Sequence, residues 1–110
     1  MRRDAMDPSH GWVVIAAQDM AESVRRVVGD VLESGYPVVV VDNGSLDATF
    51  NEALLGGAMV LRKESPENPQ AALQRGIDYA LERGAPYVYT YILGGENAET
   101  PEEVEIASLR

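Results

Sequence analysis

A chain of 110 residues can build one compact domain and is too short for two. Its formal charge is -9, from 18 acidic and 9 basic residues, which argues against a nucleic-acid partner because phosphate neutralisation needs clustered lysine and arginine. Cysteine is absent, so disulfides and thiolate metal sites are excluded and a cytoplasmic setting is expected, and no apolar run is long enough to form a transmembrane segment.

The first ten residues, "MRRDAMDPSH", begin with basic residues, but Asp4 and Asp7 interrupt the charge and no apolar core follows. This is not the pattern of a signal peptide, and residues 1–10 read as a disordered leader. The domain is expected over 11–110. "GWVVIAA" reads as a first buried strand. The period then changes to that of a helix, with Met20, Val24, Val27, Val28 and Val31 on one stripe. Asp19 is placed to cap it, with Glu22 completing a capping box, and Gly35 ends it.

"PVVVVDNGSLDAT" follows. Four valines in a row fit a strand covered on both faces, and Asn43-Gly44 then calls for a tight turn. "DATFNEALLGG" reads as a short helix, "AMVLRK" as a third strand and "ESPENP" as a loop. Asn68 caps a third helix with Pro69 at its first position, and Leu73, Ile77, Ala80 and Leu81 form its buried stripe before Gly84 stops it. "PYVYTYIL" is a fourth strand. Thr100, Pro101 and Glu103 form a capping box that predicts a last helix reaching Arg110. Strands alternating with helices predict an α/β fold: a three-layer sandwich around a Rossmann-like parallel sheet, strand order 3-2-1-4.

Ligands in such sheets bind at the carboxyl ends of the strands. That edge gathers Gln18 and Asp19; Asp42, Asn43, Ser45 and Asp47; Glu64, Ser65 and Asn68; and Gly94, Gly95, Glu96 and Asn97. Most of these residue types are also ordinary turn formers and helix caps. Asp42 stands apart, since it directly follows the buried valines and can accept from a base N–H or a hydroxyl. No nucleophile elbow, phosphate-binding glycine loop, dinucleotide-type glycine pattern or metalloprotease helix is present. A receiver-type acidic pocket needs a lysine near a later strand end, and Lys63, the only lysine, lies on the third strand.

Four segments carry a resemblance. "VVIAAQDMAESV" resembles the opening motif of family 2 glycosyltransferases, written VVIPAYNEAESI, and "VVVVDNGSLDAT" resembles their VVDDGSTDGT. "AALQRGIDYALERGAPYVYT" resembles the helix and strand leading to their DxD motif, and "TPEEV" the PEDI segment after it. Order and spacing agree over roughly residues 11 to 105. The resemblance implies the nucleotide-binding half of a GT-A fold, holding a UDP- or GDP-sugar. It implies that Asp42 meets the base, that Ala17, Gln18 and Asp19 border base and ribose, that Asn43 and Ser45 belong to the same binding turn, and that Asp47 supports it.

The chain also departs from that pattern. Pro-Ala-Tyr-Asn-Glu becomes Ala16, Ala17, Gln18, Asp19 and Met20, and the Gly-Lys-Gly before the third helix becomes Asn68, Pro69 and Gln70. The Asp-Ala-Asp-Gly that holds the family's divalent metal aligns with Ile92, Leu93, Gly94 and Gly95, which offer no carboxylate. The sequence therefore predicts no catalytic residue and no metal site. Two readings stay open: a nucleotide-sugar-binding domain not competent as a transferase alone, or a non-catalytic module that keeps only the fold and serves a protein partner or self-association.

Overall fold

The computed structural model of the protein describes residues 11–95 and the strand at 107–108. The expected leader at 1–10, the capping box at Thr100–Glu103, Glu96 and Asn97 lie outside the described residues. Within them the chain alternates as β1 (Trp12–Gln18), α1 (Ala21–Glu33), β2 (Val38–Asn43), α2 (Thr49–Gly56), β3 (Met59–Lys63), α3 (Pro69–Glu82) and β4 (Val88–Gly94). These four strands are all parallel and lie in the order β3-β2-β1-β4, as the alternating pattern predicts. A two-residue strand, β5 (Ala107–Ser108), extends the sheet beyond β4 and runs antiparallel to it. It replaces the end of the helix expected to reach Arg110.

The layers follow from the side-chain period of each element. Along β1, Val13, Ile15 and Ala17 point to the face covered by α1 and α2, where they meet Val24, Val28 and Ala53. Val14 and Ala16 point to the opposite face, against Ala72, Leu73 and Ala80 of α3. Val38–Val41 serve both faces in alternation, and none is more than 2% exposed. Full burial of one valine is worth roughly 1.5–3 kcal/mol, so this run alone anchors β2 between its neighbours. On α3, Gly76 allows the helix to lie directly on the sheet. A Cβ there would stand 2.4 Å from Val14 Cγ1 and 2.9 Å from Val41 Cγ2.

The helix ends match their sequence signals in part. Asn68 Oδ1 accepts from the Gln70 N–H at 2.8 Å, with Pro69 at the first helical position. All three described helices close with the same paired bonds, such as Ala85 N–H to Ala80 O and Gly84 N–H to Leu81 O. Two expectations fail. Leu81 is not part of the buried stripe of α3 and is 49% exposed, because Ile77 and Ala80 already cover the sheet there. Asp19 does not cap α1, whose N-cap is Met20. Asp19 adopts φ of 54°, and its carboxylate is turned toward a different loop.

Candidate functional site

The carboxyl ends of β1, β2 and β3 form one edge, and the parallel register sets its side chains in rows. Ala17 pairs with Asp42, and Asp42 pairs with Arg62. The three lie side by side on the face shared with α2. Asn43 points to the other face. Gly44 turns the chain at φ of 71°, and a Cβ there would lie 2.5 Å from the Pro66 nitrogen, so the Asn-Gly turn is fixed by crowding as well as by backbone angle.

Most of the polar side chains on this edge bind the protein itself. Asn43 is 2% exposed, and its amide forms a closed pair with the Glu67 backbone: Nδ2 donates to Glu67 O at 2.8 Å, and Oδ1 accepts from Glu67 N–H at 3.0 Å. This fastens β2 to the β3–α3 loop. Ser45 Oγ accepts from the Asp19 N–H at 2.9 Å, and Asp19 Oδ1 accepts from the Leu46 N–H at 2.7 Å. The β1–α1 and β2–α2 loops are thus tied reciprocally.

Asp47 satisfies the starts of two helices at once, though it is the N-cap residue of neither. Oδ2 accepts from the Ala21 N–H at the start of α1, and Oδ1 accepts from both the N–H and the hydroxyl of Thr49 at the start of α2. Thr49 Oγ1 in turn accepts from the Met20 N–H at 2.8 Å. Desolvation pushes the Asp47 carboxyl up. The bonds from the Thr49 side chain and backbone and from Ala21 outweigh it and hold the group below its usual 3.8. The sequence suggested Asp47 as a local cap and turn support. Its reach to Ala21, 26 positions away, has no signal in periodicity or spacing.

Asp42 differs from all of these. It is 1% exposed, deep at the end of the valine strand. Oδ1 accepts from the Ser45 N–H at 3.2 Å, while Oδ2 is buried with no hydrogen-bond partner. Trp12 Nε1 and Ser23 Oγ are also buried without partners, but both are neutral groups and cost less in that state. Arg62 Nε lies 3.8 Å from Asp42 Oδ2, and the guanidinium rests over the Phe50 ring, 4.5 Å from its centroid. The sequence placed Asp42 correctly at the strand end. Arg62 and Phe50 carried no signal, since only the β2–β3 register and the start of α2 bring them there.

A narrow cleft, too tight to admit a water molecule, lies nearby, between the end of β1, the start of α3 and the end of β4. Ala17, Gln18, Asn43, Pro69, Gly94 and Gly95 border it. The Gln18 side chain is half-buried at its wall, and Ala17 is fully buried. Pro69 has no N–H and the Gln70 N–H is taken by Asn68, so the first residues of α3 have little to offer a phosphate. The positions that the resemblance assigns to a metal do not fit one. Leu93 packs into the core under α1 and α2, Ile92 packs on the α3 side, and Gly94 and Gly95 have no side chain. Among the described residues no group of three or more His, Cys, Asp or Glu side chains is placed to hold an ion. No described helix is long and apolar enough to cross a membrane. No family model matches the chain, and no curated protein matches it.

Proposed function

We propose that this domain binds a nucleoside diphosphate sugar, of uridine or guanosine, at the carboxyl edge of its parallel sheet, and that it does not transfer sugar by itself. The observation that carries this reading is the Asp42 carboxylate: buried, delivered by the inner strand β2, and with one oxygen that accepts no hydrogen bond and has only the Arg62 guanidinium 3.8 Å away. A buried carboxylate oxygen without a donor is costly, and a base N–H is the donor that the resemblance to family 2 glycosyltransferases calls for. The edge position agrees with ligand placement in open α/β sheets. A cytoplasmic location goes with this reading.

The departures set the strength and the chemistry. The Asn68-Pro69-Gln70 start of α3 has no cation and few free N–H groups, and Ile92–Gly95 cannot ligate a metal that would neutralise a diphosphate. Binding is therefore weak, with a Kd near millimolar, about 4 kcal/mol. Titration of UDP and GDP followed by amide shifts tests this. The expected result is saturable perturbation around Asp42 that manganese does not strengthen. No perturbation near Asp42 at saturating nucleotide would sink the reading.

One observation favours a second reading, a non-catalytic interaction module. Asn43, Ser45, Asp19 and Asp47 all spend their hydrogen bonds on neighbouring loops, and the cleft beside them is narrow. Under this reading the edge is a stabilised surface for a protein partner or a second copy, and the nucleotides leave the amide spectrum unchanged.

A further inference from the structure

The geometry points to Arg62 as a specificity-determining residue that reads a nucleobase jointly with Asp42, an assignment that rests on the nucleotide-binding reading above. The register of β2 and β3 sets the two residues side by side. Arg62 Nε is 3.8 Å from Asp42 Oδ2, within ion-pair range and too far for a hydrogen bond. Arg75 closes to 2.6 Å on Glu67, whereas Arg62 on Asp42, like Arg25 on Glu52 at 3.6 Å, stands off. Arg62 balances the charge while leaving the lone pairs of Oδ2 unfilled. Its side chain is 57% exposed and rests on the Phe50 ring, so turning it aside breaks no hydrogen bond to Asp42.

A ligand completing this pair must offer two things on one rigid edge: an N–H for Oδ2 and an acceptor for the guanidinium. The lactam edge of uracil or guanine has both, a ring N–H flanked by a carbonyl. A lactam N–H is more acidic than the aromatic amine of adenine or cytosine and binds a carboxylate more strongly. The planar guanidinium presents N–H donors in a fixed fork that a carbonyl oxygen can accept from. Arg62 therefore swings from its place over Oδ2, the base N–H takes that oxygen, and Arg62 donates to the adjacent carbonyl with Phe50 steadying its plane.

Binding of UDP, GDP, ADP and N3-methyl-UDP to the wild-type chain, Arg62→Lys and Arg62→Gln tests the assignment, with a thermal melt of each variant. Wild type should bind UDP or GDP more tightly than ADP, and the tighter of the two identifies the base. Arg62→Lys keeps the charge and should melt close to wild type. It should still lose about tenfold in affinity for the preferred nucleotide, the scale of one hydrogen bond to a charged group, with no change for ADP. Arg62→Gln should show the same loss, and if it fails to fold the lysine variant decides alone. Wild-type affinity in the folded variants would overturn the assignment and leave Arg62 a structural ion pair, while the nucleotide-binding reading stands. If the wild-type chain binds no UDP or GDP, or binds N3-methyl-UDP as well as UDP where UDP is the preferred ligand, the reading of Asp42 falls and the role of Arg62 falls with it.

Discussion

Asp42 and Asp47 leave the same strand and enter the same loop, yet they are used in opposite ways. Asp47 is exposed and fully occupied, with donors from Ala21 and Thr49 on both oxygens. Asp42 is buried and half-occupied, with Oδ2 accepting no hydrogen bond and Arg62 Nε 3.8 Å away. The usual expectation runs the other way, because a buried carboxylate gains most from being satisfied and an exposed one can rely on water. The difference separates the role of each: Asp47 holds the loops that define the edge, and Asp42 keeps acceptor capacity within it.

The comparison breaks most visibly at Asp47. Asp47→Ala removes the carboxylate that satisfies the first N–H of both α1 and α2, at about 0.5–2 kcal/mol each, so a loss of about 1–4 kcal/mol is expected. At about 4–8 °C per kcal/mol the melting midpoint should fall well outside error, and calorimetry or circular dichroism reads it directly. An Asp47→Ala protein that melts with wild type would show that water replaces the carboxylate at both helix starts.

A smaller effect is expected with pH. The folded-state pKa of Asp47 is lowered, so its contribution to stability is fully present above the unfolded value near 3.8 and is lost as pH falls through the folded one. Glu67, held down chiefly by its bond from Arg75, adds loss in the same direction. Denaturant midpoints between neutral pH and the acid range should decline in wild type and decline less steeply in Asp47→Asn. Equal slopes would remove Asp47 from the acid response.

The smallest stability effect belongs to Asp42. Asp42→Asn keeps the shape and removes a buried charge whose oxygen is unsatisfied. The partner left behind, Arg62, is exposed and not stranded in the core. The melt should stay within about 1 kcal/mol of wild type, since exposed pairs contribute little and buried charge is expensive. Nucleotide shifts around residue 42 should nonetheless vanish. A large destabilisation with binding intact would reverse the division between the two aspartates.

What the sequence reveals here is local. The valine run, the cap at Asn68 and the helical stripes of α1 follow from side-chain period and neighbouring residues, and the order β3-β2-β1-β4 follows from their alternation. Asp42 is legible because a carboxylate ends a run of buried valines. The Asp47 bond to Ala21 and the Asp19 bond to Leu46 join residues 26 and 27 positions apart, and no local propensity encodes such distances. Arg62 reaches Asp42 only through strand register. Leu81 misled because helical spacing marks a stripe without fixing how wide the covered part is. At the carboxyl end, a capping box predicted helix where Ala107 and Ser108 pair with the edge of β4, since a free strand edge supplies backbone partners that local sequence does not show.

The Asn43-Gly44 pair has a consequence for chemical ageing. Asparagine before glycine loses its amide readily in flexible chains, when the glycine nitrogen attacks the side-chain carbonyl carbon and forms a succinimide. Here that carboxamide is buried, with its nitrogen donating to Glu67 O and its oxygen accepting from Glu67 N–H. Ring closure would have to break both bonds and turn the group away from the β3–α3 loop. The folded chain therefore protects its most labile peptide unit, and isoaspartate at residue 43 accumulates only as fast as that loop lets go.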